Sequence, residues 1–257
     1  MNIALFAADT VGCEVAKIFA ENSESLACLI LDSKDGKGLN AEIIAVSGIK
    51  DSKRIIYSQK LSQQDAIDKL RRLELDLAIL AWWPYIIKES LINIPKIGCL
   101  NFHPSYLPYN RGKDPNFWAI VENAPFGVSI HFVETGIDSG DIAFQSYIET
   151  SWEDSGKTLY EKATREIVKL FKNNFSRIKS GDIPRKPQDL SQGSFHKRKE
   201  LDSASKLDLD EIYKGRDLLN ILRARTFQPY PAAWFVDKGE KYEVQVSITK
   251  VNDVKKD

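Results

Sequence analysis

Asn101 and His103 stand two residues apart in Leu100-Asn101-Phe102-His103-Pro104-Ser105. The run from Ile97 to Phe102 reads as a strand, and the period-two alternation of a strand puts both side chains on one face. An amide beside an imidazole suits chemistry at an acyl carbon: the amide donates to a developing oxyanion, and the imidazole moves a proton. The plainer alternative is an Asn capping a turn beside an exposed His. Further along, Gly136-Ile137-Asp138-Ser139-Gly140-Asp141 sets a carboxylate between two glycines. Near His103, the Asp138 carboxylate would hold the ring and stabilise its cation. In isolation it could equally bond its own backbone in a tight turn.

Positioning such groups is the task of the surrounding elements. Ile3 to Ala8, Leu26 to Leu31 and Leu75 to Ala81 are short apolar runs that read as buried strands. Helical spacing separates them, at Val15, Ile18 and Phe19 and again over Gln63 to Leu73, while 36–60 fits either helix or strand. Strands alternating with helices and buried on both faces predict an α/β fold with a doubly wound, mostly parallel sheet. In such sheets ligands meet the carboxyl ends of the strands, where His103 falls. Val128 to Val133 and Ile142 to Ile148 read as further strands, Asn116 to Glu122 as a helix start, and 156–179 as a long helix with one apolar stripe. Residues 1–181 are therefore expected as the catalytic domain and the polar stretch 182–206 as a linker or loop. Residues 207–257 would add a small appendage, a helix over Leu209 to Arg225 and a β-hairpin through Ala233-Trp234-Phe235-Val236 and Tyr242 to Ile248. A hairpin alone is too small to stand free, and its exposed Trp234 and Phe235 place it at a dimer contact.

Composition narrows the classes. The 257 residues are 43% apolar, enough for a real core, and Lys+Arg equals Asp+Glu at 36 each. A balanced chain lacks the positive field of a nucleic-acid binder, and no apolar run reaches the length of a membrane span. Cys13, Cys28 and Cys99 have no CxxC spacing and read as core thiols in a reducing, cytoplasmic setting. Three well-separated histidines offer no metal cluster. The Lys197-Arg198-Lys199 run reads as solvated surface.

Taken as a set, Asn101-x-His103-Pro104-Ser105-x-Leu107-Pro108, Arg111-Gly112 and Asp138-Ser139-Gly140-Asp141-Ile142 resemble the N10-formyltetrahydrofolate-dependent formyltransferases, a fold of Rossmann-like type. Within that family the string HPSYLPYNRGKDPNFWAI looks nearest to the nucleotide-sugar N-formyltransferases. The resemblance implies that Asn101 donates to the formyl oxygen, that His103 removes or relays a proton of the attacking amine, and that Asp138, rather than Asp141, orients and compensates His103. It implies N10-formyltetrahydrofolate as cosubstrate and no metal. The pterin would lie along Ala81-Trp82-Trp83-Pro84-Tyr85-Ile86-Ile87, held largely by backbone groups, with Trp83, Tyr85, Ile86 and Ile87 as contacts. This stretch departs from the Gly or Tyr more usual in relatives. On the other side, Tyr106, Asn110, Arg111 and Lys113 follow His103 and could meet a diphosphate or a sugar.

The implied reaction formylates the amine of a nucleotide-linked aminodeoxyhexose, with dTDP-4-amino-4,6-dideoxyhexose as first choice, for surface polysaccharide of the lipopolysaccharide O-antigen kind. The enzyme would be a cytoplasmic homodimer. The first turn, Ala8-Asp9-Thr10-Val11-Gly12, lacks the glycine-rich cradle of the ribonucleotide relative. Methionyl-tRNA formyltransferase is one alternative, and zero net charge sits poorly with a tRNA substrate. The stretch Phe227-Gln228-Pro229-Tyr230-Pro231 looks like the start of the further C-terminal barrel that enzyme carries, which is not expected here. A non-catalytic folate or nucleotide-sugar binder is the other, though a mere binder needs none of Asn101, His103 and Asp138.

Overall fold

The computed structural model describes residues 1–251, so the expected 207–257 region is covered only that far. The chain runs β1 (Ile3–Ala7), α1 (Asp9–Glu21), β2 (Cys28–Leu31), α2 (Asn40–Ser47), β3 (Ile55–Tyr57), α3 (Gln64–Arg72), β4 (Leu77–Ala81), α4 (Glu89–Ile92), β5 (Gly98–His103) and β6 (Arg111–Gly112). It continues through α5 (Pro115–Val121), β7 (Gly127–Phe132), β8 (Ile142–Tyr147), α6 (Gly156–Ser180), β9 (Phe195–His196), α7 (Glu200–Ala204), α8 (Gly215–Arg225), β10 (Ala233–Asp237) and β11 (Glu240–Val244). These elements form two compact units interleaved in sequence. The first takes residues 1–103, 128–146 and 164–188, and the second takes 104–127, 147–163 and 189 onward.

The first unit carries a seven-stranded sheet in the order β3-β2-β1-β4-β5-β7-β8. β1 pairs in parallel with β2 and β4, and β4 with β5, whereas β7 runs antiparallel to β5. The expected doubly wound, mostly parallel α/β sheet is present. Its central strands are β-rich apolar runs because both faces are covered: every residue of β1, β2 and β4 is buried. On one face Phe19 of α1 and Phe171 and Phe175 of α6 meet one another, and Phe171 meets Phe102 of β5. On the other, Phe6, Ile30, Leu80 and Trp83 close over Ala66 and Leu70 of α3. Each such large side chain contributes about 1.5–3 kcal/mol by leaving water. Gly12 lies inside α1, not in a turn: a Cβ there would stand 2.9 Å from Ala7, so glycine lets the helix settle on β1. The ambiguous 36–60 stretch resolves into α2, two short 3₁₀ turns (Ser52–Arg54 and Ser58–Lys60) and the edge strand β3. All three cysteines are buried thiols, and burial pushes Cys28 and Cys99 up to about 12 and Cys13 up to about 11, which leaves them inert.

The second unit gathers α5, α7, α8, the β6–β9 pair and the β10–β11 hairpin. Residues 182–206, expected as a linker, carry β9 and α7, and Phe195 and His196 pair in parallel with Arg111 and Gly112. The helix expected from Leu209 begins only at Gly215. Before it, Asp210 N–H bonds the Asp208 carboxylate and Asp208 N–H bonds Tyr213 Oη, a locally satisfied turn that competes with helix. The hairpin packs Ala233, Phe235 and Val244 against Leu207 and Leu222. Trp234 and Phe235 are thus half-buried within this unit. The large apolar side chains the hairpin exposes are Val236 and Tyr242.

Candidate active site

β5 delivers Asn101 and His103 to the carboxyl end of the sheet. Across the antiparallel seam, Asn101 stands opposite His131 and His103 opposite Ser129. Residues directly opposite share a face, so four polar side chains converge where the flanking positions are apolar. His103, Ser129 and His131 are all buried. Asn101 Nδ2 lies 3.2 Å from His131 Nε2, and His131 Nδ1 lies 2.8 Å from the Phe132 carbonyl. A carbonyl can only accept, so Nδ1 bears the proton, and Nε2 faces the Asn101 amide.

The loop between β7 and β8 brings Asp138 over this face. Its carboxylate lies 3.6 Å from His103 Nδ1, 3.5 Å from His131 Nε2 and 3.5 Å from Asn101 Nδ2. The imidazole contacts are ion pairs only for a protonated ring and the amide contact is a long hydrogen bond, and such contacts shorten when a reacting group completes the site. The backbone of Asp138 takes φ 49°, in the left-handed region. Gly140 allows the loop to turn back: a Cβ there would lie 2.1 Å from the Phe132 carbonyl oxygen. Asp141 points elsewhere, toward Arg185 at 3.8 Å. The structure therefore brings Asn101, His103 and Asp138 together and adds His131. Sequence reading missed His131, although Ser129 and His131 at i and i+2 in an apolar strand were the available signal.

A cavity of about 470 Å³ opens beyond the carboxyl ends of β2, β3 and β4. Trp83, Tyr85, Ile86 and Ile87 all line it, with Ser33 and Lys34 among the residues facing them. Trp83 packs edge-on against Phe6 and Tyr85, and its Nε1 is buried with no hydrogen-bond partner. Tyr85 Oη donates to Asp32 at 2.7 Å, and Ile86 is 85% exposed. Trp82 adopts φ 57°, so the chain keeps a left-handed turn there without glycine. At the first strand-to-helix turn Asp9 faces Lys37 at 2.6 Å. Burial works to raise its carboxyl, but Lys37 and the Thr10 N–H outweigh burial and hold it below the usual range. A fixed carboxylate makes this turn a poor phosphate cradle.

The remaining expected residues lie in the second unit. Asn110 is fully buried, and its Nδ2 donates to Glu122 at 2.9 Å and to Ser194 Oγ at 3.2 Å. Glu122 also meets His196 Nε2 at 2.7 Å, and His196 stacks on Trp118 at 3.7 Å. Asn110 thus ties the loop after His103 to residues 194–196. Tyr106 packs edge-on against Tyr147, Arg111 is half-buried in the β6–β9 pair, and Lys113 is exposed. Among the described residues no group of three or more His, Cys, Asp or Glu is arranged to hold a metal ion.

A strand-end amide, two imidazoles and a loop carboxylate on a doubly wound sheet are groups suited to chemistry at an acyl carbon. The chain belongs to the formyl transferase family, whose pattern it matches over residues 1–173, and residues 200–250 match the N-formyltransferase dimerization C-terminal domain. It is 26% identical over 224 residues to a methionyl-tRNA formyltransferase from Acetivibrio thermocellus, covering 84% of this chain and 69% of that protein. Its fold matches a 4-N formyltransferase from Francisella tularensis with TM-score 0.82 at 23% identity, covering 97% and 98% of the two chains. It also resembles a formyltransferase from Anoxybacillus kamchatkensis solved with UDP-4,6-dideoxy-4-formamido-L-AltNAc and tetrahydrofolate. There the TM-score is 0.59 at 26% identity, over 87% and 98% of the chains.

Proposed function

We propose that this formyltransferase moves the formyl group of N10-formyltetrahydrofolate to the amine of a nucleotide-linked aminodeoxyhexose. The observation that carries the reading is the approach of Asp138 to both His103 and Asn101, at 3.6 and 3.5 Å. The amine nitrogen bonds to the formyl carbon, the bond from that carbon to N10 breaks, the amine gives up a proton and N10 receives one. His103, paired with Asp138, holds the moving proton. Asn101 has two amide hydrogens. The one facing Asp138 at 3.5 Å is at the limit of a hydrogen bond, and it is the one free to exchange onto the formyl oxygen as charge develops there. The cavity walled by Trp83, Tyr85, Ile86 and Ile87 suits a flat pterin. Tyr106, Arg111 and Lys113 are proposed to meet the nucleotide sugar.

The N-formyltransferase C-terminal domain over residues 200–250, and a TM-score of 0.83 to a sugar N-formyltransferase against 0.63 to a methionyl-tRNA formyltransferase, support the sugar reading. The ligand of the Anoxybacillus enzyme, a UDP-linked 4-formamido sugar, supports a 4-amino hexose. A dTDP-linked 4-amino-4,6-dideoxyhexose remains our first choice, with a product destined for O-antigen-type surface polysaccharide. We further propose a homodimer joined at the β10–β11 hairpin and action in the reducing cytoplasm. The test offers N10-formyltetrahydrofolate with a panel of nucleotide-linked amino sugars, or with methionyl initiator tRNA, and reads formyl gain by mass. Gain on a 4-amino sugar is expected. Gain on the tRNA alone would assign the second activity, and gain on neither, with ligand-induced thermal stabilisation, would leave a binder.

A further inference from the structure

We infer that Gln188 is a positioning residue that holds Asp138 in its working conformation, an inference that rests on the formyl-transfer reading above. Asp138 sits at φ 49°, a left-handed conformation that Asp adopts more readily than most residues with a Cβ and that its hydrogen bonds must still select. Gln188 Nε2 donates to the Asp138 carbonyl at 3.0 Å and to the Gly140 carbonyl at 2.6 Å. Two converging carbonyls accept only from an NH₂ group, so this geometry assigns the orientation of the amide. Its other end, Oε1, is buried with no hydrogen-bond partner.

The segment that carries Gln188 is itself anchored beside the loop. Lys186 and Ile142 exchange backbone hydrogen bonds at 2.8 and 3.0 Å. Arg185 reaches the Ile97 carbonyl at 2.9 Å, and its guanidinium lies 3.5 Å from the centre of the Phe132 ring. Gln188 therefore grips both sides of Ser139 from a fixed base. Its effect reaches the chemistry only through Asp138, whose carboxylate depends on that peptide to face His103 and His131. A displacement of about 1 Å is enough to cost on the order of 100-fold in rate.

The test is Gln188→Met, which keeps length and removes both donors, with Gln188→Ala as a second variant should the thioether disturb folding. Two quantities are read: kcat and KM for both substrates, and the titration midpoint of the His103 ring by NMR. His103 faces Asp138 from the loop, Ser129 and His131 from β7, and Asn101 on its own strand. With the carboxylate released, the imidazolium loses its counter-charge and the midpoint falls. The expected result is kcat lowered about 30- to 100-fold, KM changed less than about 3-fold, and a lower midpoint. A kcat within twofold of the parent, even with a lower Tm, reduces Gln188 to a structural tie and overturns the inference. A raised KM with unchanged kcat also overturns it, by assigning Gln188 to ligand binding. If the parent transfers no formyl group yet the midpoint still falls in the variant, the positioning stands and the proposed reaction does not.

Discussion

His103, Asp138 and Asn101 differ in what each contributes, and substitution should separate them. His103→Ala and Asp138→Ala are expected to lower kcat by about 10²- to 10⁴-fold, the range for a lost proton-transfer group. Asn101→Ala should lower it by about 10²- to 10³-fold, the range for a lost oxyanion donor. Far-ultraviolet circular dichroism should stay that of the parent in all three, and near-parental turnover in any would remove that residue from the mechanism. Asp154 serves stability instead. It is buried, which alone would raise its carboxyl, but Lys162 at 2.8 Å, the Ser151 N–H and the Thr158 hydroxyl together hold it below the usual range. A carboxyl depressed on folding adds stability above its unfolded pKa of about 3.9, and that stability is lost as pH falls through the folded value. Asp154→Asn should therefore lower Tm at pH 7, with the gap closing below about pH 4. A gap that stays constant with pH would mean that packing, not charge, is at stake there.

At the scale of elements, the loop from 133 to 141 leaves no room for a side chain at Gly140. A Cβ on Gly140 would overlap the Phe132 carbonyl, so Gly140→Ala should cost about 1–3 kcal/mol and lower turnover by shifting Asp138. Chemical denaturation paired with a rate assay checks both; an unchanged rate would show the loop adjusting without moving its carboxylate. What was legible in the sequence divides along the same lines. β1 and β4 announce themselves because strands buried on both faces are unbroken apolar runs. Asn101 and His103 are legible from period-two spacing and from the strand end that follows them. For His131 the i, i+2 spacing with Ser129 marks a polar face, but its pairing with Asn101 is set by the register of β7 on β5, which no local pattern records. The β6–β9 pair, two residues a side, is too short to carry periodicity. Over 209–214 the spacing of Leu209 and Ile212 imitates a helix, yet Ile212 is 97% exposed and the Asp208 turn prevails.

For the whole molecule, the interleaving of the two units escapes sequence reading altogether. Composition marks a boundary at the polar stretch 182–206, but compactness depends on which distant segments meet. Asn116 donates to the Gly156 carbonyl at 2.8 Å, and Arg223 donates to the carbonyls of Ser151 and Asp154 at 3.0 and 2.9 Å. Segments far apart in the chain thus close one body, and α6 begins in one unit and ends in the other. The proposed assembly is tested at the hairpin, where Val236 and Tyr242 are 46% and 48% exposed. Val236→Asp should convert a dimer into a monomer by light scattering at micromolar concentration. A parent already monomeric, or a variant still dimeric, would move the contact elsewhere.

The antiparallel seam between β5 and β7 has one more consequence. The amide and both imidazoles ride on paired backbone in the sheet, whereas the carboxylate hangs from an excursion outside it. Warming loosens such an excursion long before it frays a seven-stranded ladder. Heat should accordingly silence the enzyme while its architecture is still intact, and cooling should restore it without refolding.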